Sequence, residues 1–272
     1  MRILVTGHLG FIGHNMTSYL LSQGHEVEGY DWHPEEFPDV KSFDWVIHLG
    51  AIADTTYSDV DQILKQNLEF SQKLFLECQL NDVGLQYASS SSVYGNTKDF
   101  SEYAPCKPLN PYAWSKYLFD RWVFQQKIYS PVQGFRYFNV YGRFQHLRGN
   151  RANVIHKWRD QARSTGKITV WEQADKIKRD WTFVGDICKL HLDFINQVKG
   201  NGIWNVGPGL PYNFLEIAEY IAAQEGVQIE FEPIPEQQVN MMRWTTCSDQ
   251  SLLKSTIGSR QWLNVFDWLD QS

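Results

Sequence analysis

Arg2-Ile3-Leu4-Val5-Thr6-Gly7-His8-Leu9-Gly10-Phe11-Ile12-Gly13 opens the chain and decides its fold. An apolar run enters a turn with three glycines spaced three apart, and an amphipathic stretch follows. Gly7 suits the positive-φ turn that stops a strand. Gly10, without a Cβ, lets backbone approach a pyrophosphate, and Gly13 lets the following helix pack close to the strand. That helix then aims its free N–H groups and positive dipole end at the phosphates. A second run, Val27-Glu28-Gly29-Tyr30-Asp31, ends on an acid. A dinucleotide fold places such an acid there to accept from the adenosine ribose 2′-OH. Asp31 also repels a 2′-phosphate, so NAD is expected rather than NADP.

At 272 residues the chain is long enough for one large domain or two small ones. The net charge of −6 gives no electrostatic case for nucleic acid or an anionic membrane. Cys78, Cys106, Cys188 and Cys247 are scattered without metal-ligand spacing and read as free thiols in a reducing compartment. A strand starting at Arg2 leaves no room for a signal peptide, and no apolar run approaches membrane-spanning length. A cytoplasmic protein without a metal is expected.

Strand-like and helix-like stretches alternate, which predicts an α/β fold: a Rossmann-type, doubly wound parallel sheet with a smaller C-terminal substrate-binding lobe. Strands are predicted at 2–6, 27–31, 45–49, 85–89 and 132–138, with helices near 13–23, 61–81 and 111–129. The connection from Asp31 to Trp45 is short and interrupted by Pro34 and Pro38, so the sheet is expected to be abbreviated there. Later helices are predicted near 153–164, 186–198, 213–224 and 260–270, with strands at 168–171, 203–206 and 228–231. The expected division assigns 1–142 and 180–206 to the dinucleotide domain and 143–179 and 207–272 to the lobe.

Tyr-x-x-x-Lys occurs three times, so the pattern alone decides nothing. Tyr94/Lys98 falls in a loop, and Tyr103/Lys107 contains Pro105. Tyr112/Lys116 follows Asn110-Pro111, a cap and a first-turn proline, so both side chains project from one helix face. A lysine ammonium about 6 Å from a phenol is worth about 3 kcal/mol at an effective dielectric near 20, roughly two pKa units. A phenolate so favoured accepts a proton from a sugar hydroxyl as hydride leaves. Ser89-Ser90-Ser91 lies at the exit of the fourth strand, where open α/β sheets bind ligands. His48 reads as a packed core histidine, and His156 is a candidate for the sugar pocket.

The chain resembles the extended short-chain dehydrogenase/reductase family of NAD-dependent sugar-nucleotide epimerases and dehydratases. The residues that carry the likeness are Thr6 through Gly13, His48-Leu49-Gly50-Ala51, Ser89-Ser90-Ser91, Tyr112/Lys116, Arg136 through Gly142, and Arg179-Asp180-Trp181. Within that family it is most similar to the ADP-heptose 6-epimerase group. The resemblance implies Ser90, Tyr112 and Lys116 as catalytic residues. It implies Gly7, Leu9, Gly10, Phe11, Ile12, Gly13, Asp31, Leu49, Gly50, Ala51, Asn67, Ser89 and Phe138 around the cofactor, with Tyr112 and Lys116. It implies Ser90, Ser91, Asn139, Arg148, Arg179 and Arg243 around a nucleotide-sugar substrate, with a homodimer or larger homo-oligomer as the assembly. Arg148 stands where the heptose group has a lysine that serves as a second acid/base, and arginine hardly deprotonates. Ser91-Ser92 follows the catalytic serine where a dehydratase has Asp-Glu, which argues against elimination. An epimerase is expected; the alternatives are a sugar-nucleotide reductase or dehydrogenase, or a non-catalytic NAD-binding regulatory protein.

Overall fold

In the computed structural model, which describes residues 1–239 and 243–272, the opening run forms strand β1 (Arg2–Thr6) and helix α1 (Phe11–Ser22). Strands β2 (Glu26–Tyr30) and β3 (Trp45–His48) then pair on opposite sides of β1, both parallel to it. Alternation along β1 sends Ile3 and Val5 to one face and Leu4 to the other, so each side of the strand meets a different layer.

The chain next runs through α2 (Val60–Ile63), a π-helical stretch Leu64–Glu69 and α3 (Phe70–Leu80). It enters β4 (Gly84–Ser90), α4 (Pro111–Val123) and β5 (Val132–Tyr137). The short strand β6 (Asn139–Tyr141), α5 (Val154–Thr165), β7 (Lys167–Trp171) and β8 (Lys178–Phe183) follow. After α6 (Val184–Gln197), β9 (Gly202–Val206) returns as the far edge of the main sheet. The order is β2-β1-β3-β4-β5-β9, and every pairing is parallel. Met16 and Leu20 of α1 and Cys188 and Leu192 of α6 cover the Ile3/Val5 face. Leu74, Phe75 and Cys78 of α3 and Phe119 and Val123 of α4 cover the opposite face. This is the doubly wound architecture, with its topological switch point between β1 and β3.

The sheet is abbreviated where the short connection requires it. No helix or strand forms between Tyr30 and Trp45; Val40 and Phe43 are instead buried directly against the α3 and α4 layer. The remaining strands β10 (Pro211–Asn213) and β11 (Gln228–Glu232) build two small sheets, β10-β8-β6 and β11-β7, with α7 (Phe214–Glu225). Trp158, Ile168, Trp181, Ile217 and Leu269 share the core of this second body. Asn213 and Glu216 form a full capping box at the start of α7.

Two predicted helices are corrected. The one read as 111–129 stops at Val123, where the N–H groups of Gln125 and Gln126 reach back only three residues, to Trp122 and Val123. The one read near 260–270 begins only at Val265 and ends at Asp270, and a separate helix not predicted from the sequence, Ser251–Ile257, precedes it and stops at Gly258, which is at positive φ.

Candidate functional site

The glycine turn takes the shape its composition demands. Gly7 sits at φ +73°, and its N–H donates to the Tyr30 carbonyl at 2.7 Å. A Cβ on Gly13 would collide with the Gly7 carbonyl, so helix and turn meet backbone to backbone. A Cβ on Gly7 would strike Gly50, which follows β3. Gly10 is the N-cap of α1, and it offers no side-chain cap; the first turn carries no acid. The first-turn N–H groups therefore remain available to an anion.

These elements open onto a cleft of about 370 Å³ at the C-terminal ends of the strands. On the glycine side its wall contains Gly7, Gly10, Phe11, Ile12, Gly13 and Asp31. Leu49, Gly50 and Ala51 contribute from the exit of β3, and Phe138 and Asn139 from the exit of β5. Ser89, Ser90, Ser91, Tyr112 and Lys116 line the middle, and Arg148 and Arg243 the far side. Sequence separations of more than two hundred residues thus collapse into one crevice.

Tyr112 and Lys116 sit where the α4 start signals put them. Asn110 Oδ1 accepts from the Ala113 N–H at 2.9 Å, and Pro111 occupies the first turn. Burial pushes the Tyr112 phenol above its usual range. The Ser90 hydroxyl, by hydrogen bonding, and the charges of Arg148 and Arg243 pull it back. This differs from the expectation that Lys116 supplies the pull. Lys116 is buried, donates to the Ala88 carbonyl at 2.8 Å, and is brought down to about 8 by that burial, with Asp120 opposing.

A third residue on the same helix face, Asp120, anchors this arrangement from below. It is fully buried, and its Oδ2 accepts from Ser89 Oγ at 3.0 Å and Arg136 Nε at 3.1 Å. Arg136 continues to the Tyr94 hydroxyl at 3.0 Å, which donates to Asn205 Oδ1 at 2.7 Å. Strands β4, β5 and β9 are thereby tied to the helix that carries Tyr112. Ser90 itself accepts from the Ser92 N–H at 3.1 Å, which starts the tight turn Ser91–Tyr94.

Three expected site residues lie off the cleft wall. Leu9 is exposed, and its N–H donates to Asp31 Oδ2 at 3.1 Å. Asn67 is buried behind the wall within the π-helical stretch. Its amide clamps Ile52, accepting from the N–H at 2.8 Å and donating to the carbonyl at 3.0 Å, and it also donates to Ser115 Oγ at 3.1 Å. Arg179 donates to the Lys178 carbonyl at 2.8 Å and lies over the Phe214 ring at 5.4 Å. Burial, and then the Arg243 charge, lower it to about 9. Arg243 donates to the Ser91 carbonyl at 3.1 Å and is lowered to about 10 by burial.

His48 is the core residue expected, bonded to Thr6 Oγ1 at 2.6 Å and Ser71 Oγ at 2.8 Å. His156 does not reach the main cleft; it faces a separate recess of about 90 Å³ and pairs with Asp160 at 3.1 Å. Sequence reasoning missed Tyr137, Arg151 and Asn153, which also line the cleft. Asn153 carries a readable signal, since it caps α5, but its second contact, Nδ2 to the Val140 carbonyl at 2.9 Å, is set by tertiary packing.

A dinucleotide fits this donor set. The uncapped helix start suits a pyrophosphate, the close-packed glycines leave its approach open, and Asp31 provides a carboxylate at the end of β2.

Comparison with known proteins gives consistent findings. Residues 3–207 match the model of the NAD dependent epimerase/dehydratase family. An ADP-L-glycero-D-manno-heptose-6-epimerase of Alkalilimnicola ehrlichii is 30% identical over 289 residues, covering 93% of this chain and 90% of the relative. The ADP-L-glycero-D-manno-heptose-6-epimerase of Helicobacter pylori shares the fold with a TM-score of 0.85 at 21% identity, over 98% of this chain and 93% of that one. The UDP-glucose 4-epimerase of Thermus thermophilus, solved with NAD, gives a TM-score of 0.79 at 26% identity, over 94% and 92%.

Proposed function

The chain belongs to the NAD dependent epimerase/dehydratase family, and we propose that it is a sugar-nucleotide epimerase working through a transient keto-sugar. The observation that carries this reading is the convergence of Ser90, Tyr112 and Lys116 on a cleft floored by an uncapped helix start. Gly7 through Gly13 and Asp31 would hold NAD, which supplies a reversible hydride acceptor when bound. Leu49, Gly50, Ala51 and Phe138 would flank it.

Tyr112 accepts the proton of the sugar hydroxyl, and Ser90 steadies the same oxygen by hydrogen bonding. The Lys116 ammonium spends one donor on the Ala88 carbonyl, leaving two for ribose hydroxyls. Arg243 is the residue we assign to the substrate diphosphate, with Arg179, off the cleft wall, adding its positive charge. Asn139 and Ser91 complete the sugar contacts. Arg148 remains a cation at working pH and supports the phenolate as a charge, not as a proton carrier. Tyr112 therefore serves both directions of proton transfer, and the keto-sugar must turn between them.

We assign coenzyme binding to residues 1–142 and 180–206 and substrate binding to 143–179 and 207–272. We also propose a cytoplasmic homodimer. Leu76 and Leu80 on α3 and Trp114 and Leu118 on α4 are exposed on helices suited to pair with a second copy. Among the described residues no helix is long and apolar enough to cross a membrane.

The test incubates purified protein with a panel of nucleoside diphosphate sugars, without added coenzyme, and follows stereochemistry by NMR. The expected result is an equilibrium mixture of two epimers at unchanged oxidation level. Tyr112→Phe should slow it by about 10²–10⁴-fold. A product at a new oxidation level with stoichiometric coenzyme use would identify a reductase or dehydrogenase instead. Tight NAD binding with no turnover on any sugar would favour a regulatory protein.

A further inference from the structure

His8 lies inside the glycine turn, between Gly7 and Gly10. Its ring crosses β2 above Gly29, and a Cβ on Gly29 would collide with three atoms of that ring. Gly29 is not at positive φ, so backbone conformation does not demand glycine there. The space it leaves is filled by His8.

Beyond Gly29 the ring reaches Asp31, with Nδ1 2.8 Å from Oδ2. The approach is an electrostatic contact without the alignment of a hydrogen bond. The Leu9 N–H donates to the same oxygen at 3.1 Å. Both contacts converge on Oδ2, and among the described residues no hydrogen bond is made to Oδ1. Oδ2 is thus tethered to the glycine turn, and Asp31 itself lines the cleft.

We propose that His8 is a positioning residue for coenzyme selectivity, seated by Gly29 and holding the Asp31 carboxylate so that Oδ1 meets the adenosine ribose. The inference rests on the NAD reading above and adds a residue pair to it. With the carboxylate fixed, Oδ1 accepts from a 2′-hydroxyl and opposes a 2′-phosphate in the same place. With the tether cut, the carboxylate rotates freely. The hydroxyl then loses an oriented acceptor, and the phosphate escapes part of the repulsion.

The test is equilibrium binding of NADH and NADPH, read by nicotinamide fluorescence on nucleotide-free protein, for wild type, His8→Ala, Gly29→Ala and the double variant. Freeing the carboxylate costs the ribose hydroxyl its oriented charged acceptor, which corresponds to about a tenfold weakening of NADH binding. His8→Ala should show that loss, together with a fall in the NADPH/NADH ratio of dissociation constants. Gly29→Ala should reproduce both effects by expelling the ring. The double variant should match His8→Ala alone, because no ring remains to be displaced. It also controls for any folding defect of Gly29→Ala, which circular dichroism reports separately. An unchanged selectivity ratio in His8→Ala, or additive losses in the double variant, overturns the proposal while the NAD reading stands. Failure of the wild type to bind NADH overturns both.

Discussion

His48 and His191 are the residues at which burial acts most plainly on charge. His48 is enclosed between Thr6 and Ser71, while His191 contacts Gln86 Oε1 at 2.7 Å and the Tyr137 hydroxyl. Burial lowers both to about 3, so both are neutral in the folded protein. An unfolded histidine titrates near 6.5. Between pH 6.5 and 3 the unfolded chain therefore binds the extra protons, and stability is lost as pH falls through that window. From pH 7 to 5 each histidine should remove about 2 kcal/mol. Denaturant unfolding at the two pH values measures this, and His48→Gln should lose about half of the histidine-linked drop. An identical pH slope in the variant and the wild type would refute the assignment.

The same scale shows what sequence carries and what it does not. The glycines, Ser90 and the Tyr112/Lys116 pair are legible because turn geometry and helical periodicity fix them locally. The charges that act on Tyr112, those of Arg148 and Arg243, come from distant segments. No local pattern points from a tyrosine on α4 to either arginine.

At the scale of elements, the wide turn Leu64–Glu69 is the least legible feature and a consequential one. Apolar spacing predicts one helix over 61–81, and the chain is helical there throughout. The π-helical turn is invisible to that periodicity, yet it directs Asn67 toward Ile52 and Ser115. Ile52 follows the Leu49-Gly50-Ala51 wall, and Ser115 precedes Lys116, so one amide fixes two sides of the cleft. Asn67→Ala should cost about 3 kcal/mol in urea unfolding, because buried partners are left unpaired. It should also weaken NADH binding. A loss under about 0.5 kcal/mol, typical of a surface change, would show that the clamp contributes nothing.

The start of α4 is written in the sequence more plainly than its end. Asn110 and Pro111 carry explicit start chemistry, and the structure uses both. Nothing comparable marks Val123: no glycine or proline follows until Pro131, and only the three-residue hydrogen bonds of the closing turn end the helix.

For the whole molecule, alternation of strand and helix predicts a doubly wound sheet, and the missing crossover between Asp31 and Trp45 predicts its truncated edge. Both are present, because chain length alone forbids a further helix and strand in that gap. The second body was less legible. Its strands are three to six residues long and pair across large sequence distances, β8 with both β6 and β10. Its residues Asn139, Val140 and Asn153 line the cleft at the strand ends, where we propose that the sugar sits beside the coenzyme.

That shared cleft leads to the central claim: the hydrogen removed from the inverted carbon is the one returned to it. The direct measurement is turnover in D₂O of whichever nucleotide sugar the protein accepts, with mass spectrometry of the product. Epimer carrying no deuterium at carbon is the expected result, since hydride leaves and returns without meeting solvent. Deuterium at the inverted carbon would mean that a proton was exchanged there instead, and would contradict the account.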